Sequence, residues 1–400
     1  MPREFDCVVV GAGLVGVPLA LGLARLGLSV ALVEQRVAKP APGAPLAIAS
    51  DARGLALARS SARVLTDVGL WPALAPHTTP ITTVKVSQRG HFGTLRLSHT
   101  DLGVEALGYV CRADRLQAAL EAAVLASTVT RYGGARVTGC DVTEAAATLH
   151  LATADSPQEL TAALVIAADG IESAVRRMAG IAVTRHAYAQ TAIVANVDVE
   201  RPAPNTAFER FTTSGPLALL PLGGQRYVAV RTADTAAAQA LLAATEFDFL
   251  ADLDQRFGDS LGAFSKLGPR QAHPLVLQRA TKLHAPRVLL VGNAANTVHP
   301  NAAQGLNLGL RDCARLLTSI ADARSRGADL GATELLQTYA KARAADHRAT
   351  ARFTDTVARV FALPSSMAGA TRALGLMAVD RLPMLKRVLL QRLTGSGGAY

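Results

Sequence analysis

Near the start of the chain an apolar run, Cys7-Val8-Val9-Val10, leads straight into Gly11-Ala12-Gly13-Leu14-Val15-Gly16 and on through an apolar stretch to Leu26. Few arrangements accept glycines at that spacing. A buried strand entering a tight turn uses the first glycine for the turn, the second so that main chain can approach a pyrophosphate, and the third so that helix and strand pack closely. Free N–H groups at the helix start, with its dipole, then favour the anion. A second strand, Val30 to Val33, ends at Glu34, eighteen residues past Gly16, where a carboxylate accepts hydrogen bonds from a ribose diol. That implies an unphosphorylated adenosine ribose and disfavours NADP in this site. Gln35 and Arg36 follow the acid and are counted with it as cofactor-binding candidates. The expected fold is α/β, with a doubly wound, Rossmann-like dinucleotide domain. This motif alone fits an NAD dehydrogenase as well as a flavoprotein.

A second motif, nearly three hundred residues later, decides between them. The strand Arg287 to Val291 ends in Gly292-Asn293, Pro300 follows, and a helix opens around Gln304-Gly305-Leu306-Asn307. This stretch resembles the second FAD motif of the aromatic hydroxylases, flavoprotein monooxygenases related to p-hydroxybenzoate hydroxylase. The resemblance implies that Gly292 and Asn293 meet the flavin ribityl chain. It puts Pro300 at the flavin face, and Ala303, Gly305, Leu306 and Asn307 at the pyrimidine end of the isoalloxazine. Pro300, Gly305 and Leu306 are accordingly the catalytic candidates. Asn293 stands where most relatives carry Asp, and its amide can still hydrogen-bond a ribityl hydroxyl. Ala303 replaces a glycine of the turn, although alanine tolerates φ > 0 poorly.

Between these two lies Ala168-Asp169-Gly170-Ile171-Glu172-Ser173-Ala174-Val175-Arg176, after the apolar strand Leu164 to Ala167. It is similar to the Asp-Gly motif of the same hydroxylases, which the resemblance associates with FAD and NAD(P)H binding, so Asp169 and Gly170 join the candidates. Arg53 and Arg112 occupy positions where the resemblance implies arginines at the cofactor, with Arg115 competing for the turn of Arg112. The segments 51–57, 81–93, 207–212 and 215–221 resemble the ubiquinone-biosynthesis branch, on the side of the 2-polyprenyl-6-methoxyphenol hydroxylases. That branch implies hydroxylation of the phenol ring of a polyprenylated ubiquinone precursor. NAD(P)H reduces FAD, O2 adds at the flavin C4a position, and the hydroperoxide passes its distal oxygen to the ring. The hard chemistry belongs to the flavin, and no metal is indicated. His299 beside Pro300 reads as a structural donor rather than a catalyst, and Tyr188 and Tyr227 as cavity or core tyrosines.

With 400 residues at 50% hydrophobic, the chain exceeds one typical domain. The strands and motifs divide it into a discontinuous FAD domain (1–75, 105–185 and 276–335), a substrate domain (76–104 and 186–275) and a helical C-terminal region (336–400). Val84, Val86, Leu95 and Leu97 alternate as strands of the substrate domain. Cys7, Cys111, Cys140 and Cys313 form no CxxC or metal spacing and suit a reducing cytoplasm. No run of eighteen apolar residues offers a spanning helix. The net charge of +10 is scattered, without basic clusters interleaved with aromatics, which argues against nucleic acid. Beyond residue 356, apolar side chains such as Leu374, Leu382, Met384, Leu385 and Val388 mix with Arg381, Lys386, Arg387 and Arg392. Such helices either pack on a neighbouring domain or subunit, or lie on the inner face of a membrane or on other ubiquinone-biosynthesis proteins. A phenol hydroxylase of secondary metabolism and an inactive flavoprotein scaffold remain as alternatives, whereas a halogenase is excluded because the single Trp71 cannot supply a W-x-W-x-I segment.

Overall fold

The computed structural model describes residues 4–36, 54–298, 304–362 and 366–395. Arg53, His299, Pro300 and Ala303 lie outside the described residues.

Valines at consecutive positions 8, 9 and 10 make sense only in a strand covered on both faces. Phe5–Val10 is such a strand, flanked in parallel by Val30–Glu34 on one side and Gln158–Ala167 on the other. Val288–Leu290 extends the sheet beyond Gln158–Ala167, and Thr130–Gly133 beyond Val30–Glu34, again in parallel. Cys7 and Val9 face one core, with Leu19 and Leu23 of the helix Gly16–Arg25 and Leu310 and Leu316 of the helix Gln304–Ser325. Val8 and Val10 face the other, formed with Val137, Leu149 and Leu151 of the antiparallel strands Arg136–Val142 and Ala147–Ala152. The sheet is thus doubly covered, as the α/β reading requires.

A second, nine-stranded sheet is almost wholly antiparallel. At its centre the strand Val183–Val199 pairs with Gln271–Ala280 and Arg226–Asp234, followed outward by Gly215–Gly223 and Thr206–Thr212. Thr206–Thr212 then pairs in parallel with Thr83–Gln88, which pairs with Thr94–Ser98. The helices Thr235–Ala243 and Glu246–Phe257 cover one face of this sheet, where Phe249, Leu253 and Phe257 are buried. A small third sheet, Gly54–Ala58, Gly108–Arg112 and Thr78–Ile81, joins the two.

After Gln304–Ser325 the chain continues as the helices Thr333–Ala362, Ser366–Arg381 and Pro383–Thr394. The first packs along Gln304–Ser325, and Ser366–Arg381 packs on Thr83–Gln88 and Thr94–Ser98. No helix among the described residues is long and apolar enough to cross a membrane.

Candidate cofactor and substrate site

Three glycine-bearing turns separated in sequence converge at the C-terminal ends of the parallel strands. At Gly11, φ is +108° and a Cβ would run into the carbonyl of Ala168, so the fingerprint turn and the Asp-Gly motif sit back to back. A Cβ on Gly16 would strike the Gly11 carbonyl, which is the close packing the third glycine provides. Gly292, at φ +57°, and Gly309 both lie against Val15, and a Cβ on Gly309 would come within 3.2 Å of the Gly292 Cα. Gly13 is different: a Cβ there would meet no atom of the chain within 4 Å. The main chain is bare on that side, as a cradle for a pyrophosphate must be.

Glu34 ends its strand beside this cradle. Its carboxylate accepts from the Ala12 N–H at 2.9 Å and from the Arg36 N–H at 2.9 Å, fixing the side chain at the rim of the fingerprint turn. Gln35 and Arg36 are exposed next to it. Glu34→Ala is expected to weaken FAD by roughly 1.5 to 3 kcal/mol, the range for a hydrogen bond to a charged group. Equilibrium titration of apoprotein with FAD checks this, and an unchanged dissociation constant would remove Glu34 from the ribose.

Asp169 offers an open acceptor beside the same cradle. One carboxylate oxygen caps the helix Ala174–Met178 by accepting from the Ala174 N–H at 2.8 Å, while the other is buried and has no partner. A buried acceptor left without a donor costs about 1 to 3 kcal/mol or more, and a bound hydroxyl or water relieves it. Gly170, at φ +87°, faces open space. Arg176 locks this loop to the second FAD motif, donating to the Ala294 carbonyl at 3.0 Å and the Ile171 carbonyl at 2.9 Å.

The second FAD motif is held from behind. The Gly292 N–H donates to Asp312 at 3.0 Å, and the other Asp312 oxygen accepts from Arg343 and His347, both at 2.7 Å. Burial alone would push the Asp312 carboxyl up, but His347 and Arg343 outweigh it and hold the group below the ordinary carboxylate range. The helix Thr333–Ala362, which supplies both, therefore buttresses a turn it does not itself form. Asn293 is exposed at that turn.

At the start of the helix Gln304–Ser325 the first N–H groups have no partner within the helix. Gly305 leaves space around its Cα, with Val298 the nearest side chain at 4.0 Å from a Cβ, and Leu306 packs on the core beneath the fingerprint helix. The Asn307 side chain is buried and engaged with the chain itself. It accepts from the Ala58 N–H and the Ser61 hydroxyl, both at 2.7 Å, and donates to the Ala56 carbonyl at 3.0 Å. Asn307 thus pins the strand Gly54–Ala58 to the helix start. Arg112 is largely exposed and pairs with Asp114, at 3.1 Å from its Nε.

From this helix start a cavity of about 290 Å³ extends under the second sheet. Gln304, Asn307 and residues 56–58 wall it on the cofactor side. Val84, Val86, Leu95 and Leu97 line it from the sheet, and Leu376, Leu389, Leu390 and Leu393 from the last two helices. Among the described lining residues only Glu209 is ionisable. Tyr188 and Tyr227 are not in this wall: Tyr227 is core, its hydroxyl donating to the Ala203 carbonyl at 2.7 Å, and Tyr188 donates to Asp355 at 3.1 Å. Sequence reasoning attached no role to Glu209 or Gln304, because only the fold brings them to one cavity. The segment 207–212 stands out in the sequence only as a block, and strand pairing is what turns position 209 inward.

Comparison with known proteins agrees with this geometry. Residues 4–354 match the family described as FAD binding domain. Over 395 residues the chain is 36% identical to the ubiquinone hydroxylase UbiL of Rhodospirillum rubrum, covering 98% of this chain and 90% of that protein. It is 32% identical over 399 residues to the 3-demethoxyubiquinol 3-hydroxylase of Escherichia coli, covering 98% of each. Among solved structures, p-nitrophenol 4-monooxygenase PnpA from Pseudomonas putida superposes with a TM-score of 0.79 at 18% identity, covering 98% of this chain and 99% of that one.

Proposed function

Since the chain belongs to the FAD binding domain family, we propose that it is a monooxygenase that hydroxylates the phenol ring of a polyprenylated ubiquinone precursor, using NAD(P)H and O2. The observation that carries this reading is an aliphatic cavity that begins at the flavin-side helix start and holds one carboxylate among its described lining residues. The bare face of Gly13 and the unpartnered buried oxygen of Asp169 fit FAD, as does Glu34 at the rim. Bound FAD supplies the redox chemistry, taking electrons from NAD(P)H and activating O2. The chain's own residues do the rest. The glycine turns would hold the pyrophosphate, and Gly292 and Asn293 would hold the ribityl chain. The N–H groups around Gly305 and Leu306 would favour negative charge on a flavin bound there. Aliphatic walls exclude water from the reacting centre.

A division into a discontinuous FAD domain and a substrate domain is supported by the two large sheets, one on each side of this junction. The last two helices support a membrane-proximal placement, at the inner face of a bilayer. They turn Leu376, Leu389, Leu390 and Leu393 to the cavity while Leu374, Leu382, Met384, Leu385 and Val388 stay exposed beside Arg381 and Arg387. A polyprenyl tail gains about 0.8 kcal/mol per buried methylene and passes between lipid and cavity without entering water.

The test is quinone-intermediate profiling in a deletion strain. The expected result is accumulation of a polyprenylated phenol lacking one ring hydroxyl, cleared by restoring the gene. An unchanged quinone pool, with purified yellow protein hydroxylating unprenylated phenols, would assign the chain to secondary metabolism instead.

A further inference from the structure

We propose that Glu209 is the acid–base residue for the substrate ring, accepting the phenol O–H and taking its proton as the ring carbon attacks oxygen; this rests on the phenol hydroxylase reading above. The strand Thr206–Thr212 alternates across the sheet. Phe208 and Arg210 turn to the helix Glu246–Phe257, with Phe208 edge-on to Phe257 at 5.3 Å and the Arg210 Nε donating to the Arg256 carbonyl at 3.2 Å. Glu209 therefore turns the other way, into the cavity. Its register partners, Val86 on one side and Ala218 on the other, offer no donor, and the small Ala218 side chain leaves room above the carboxylate.

Among the described residues Glu209 has no hydrogen bond or ion pair. Beside it in the sheet stand Val86 and Ala218, and the other described residues lining the same cavity, among them Thr232, Phe353, Leu376 and Leu389, are uncharged. The nearby cations are engaged elsewhere. Lys85 sits over the Phe208 ring at 5.7 Å, on the helix-covered side of the sheet. Arg372 donates to Gln88 at 3.1 Å, and Arg392 lies over the Phe353 ring at 5.2 Å. The carboxyl opens on the cavity, and burial pushes it up to about 7, with no neighbouring charge contributing.

An unpaired carboxyl in an aliphatic wall is costly to the fold and is retained where a ligand completes it. The ligand must bring a hydroxyl donor on an apolar body, which is the description of an alkylated phenol. When the phenol O–H bond breaks, its proton passes to Glu209 and its electrons enter the ring, whose carbon takes the electrophilic oxygen. Loss of that carbon's own hydrogen as a proton restores aromaticity, and Glu209 returns its proton to the phenol oxygen. Overall, phenol, O2, NAD(P)H and a proton give dihydroxyarene, water and NAD(P)+, with Glu209 unchanged.

The experiment uses purified holoenzyme with 2-prenylphenol and its O-methyl ether as probes, across about two pH units on either side of neutrality. Binding is followed by calorimetry, and product is measured per NAD(P)H consumed. Wild-type protein is expected to prefer the phenol over the ether about tenfold above pH 7, the preference fading as pH falls and the carboxylate is protonated. Glu209→Leu, an apolar side chain in an apolar wall, should keep its FAD and lose the preference at every pH. Glu209→Gln should form product about 100-fold more slowly while NAD(P)H oxidation continues, and Glu209→Asp should recover part of the product yield. A preference and a product yield that persist in Glu209→Leu, with wild-type FAD content, overturn the assignment alone. Failure of the wild-type protein to bind or hydroxylate the phenol overturns the hydroxylase reading and the assignment with it.

Discussion

Gly13→Val is expected to yield a folded protein without FAD. A Cβ at this position meets no atom of the chain within 4 Å, and the residue is not among those with positive φ, so a side chain can start here without a clash in the apoprotein. What it occupies is the ground of the pyrophosphate. Gly16→Val would be uninformative, because its Cβ collides with the Gly11 carbonyl and would disturb the turn itself. Flavin absorbance relative to protein after gel filtration, read together with the apoprotein melting temperature, separates ligand loss from misfolding. A mutant that stays yellow at full occupancy would move the phosphates away from this turn.

Asp312→Ala is expected to cost about 3 to 5 kcal/mol of stability, the range for breaking a buried ion pair by removing one partner. Arg343 and His347 would be left buried opposite a void, and the Gly292 N–H would lose its acceptor. Because the Asp312 carboxyl titrates lower in the folded chain than in the unfolded one, its contribution is complete above the ordinary carboxylate range and disappears as pH falls through the folded value. Urea unfolding near neutrality should show the full deficit, and near pH 3 the gap between mutant and wild type should narrow. A deficit independent of pH would mean that packing, not charge, holds the turn. The double replacement Asp312→Leu with Arg343→Met should recover part of the loss, since the buried guanidinium goes with its carboxylate while Asp346 keeps Arg311.

The sequence disclosed those parts of the site whose chemistry is local. Glycines at positions 11, 13 and 16 and an acid at 34 state their geometry within one βαβ unit, and the structure brings that unit against Asp169 and Gly292. Parts that depend on distant partners were not legible. From its place in the motif Asn307 is expected at the cofactor, while in the structure its amide bonds to residues 56, 58 and 61, some 250 positions away. Glu209 looks like half of an ordinary Glu-Arg pair in a strand until Val86 and Ala218 are paired beside it. The C-terminal helices carry apolar residues on more than one side. Their sequence therefore left packing and surface docking open, and the structure shows both a buried lining and an exposed strip.

The pairing of Phe5–Val10 with Gln158–Ala167, and of that strand with Val288–Leu290, has a consequence for biosynthesis. The first strand emerges from the ribosome with both faces and both edges apolar or unpaired. At about 5 to 20 residues per second, some 15 to 60 s pass before the last parallel neighbour has been made. The second sheet waits too, since Thr83–Gln88 needs Thr206–Thr212 beside it. Early translation thus produces a sticky nascent chain whose nucleus closes late, so folding yield should depend on elongation speed and chaperone supply more than on the stability of the finished enzyme.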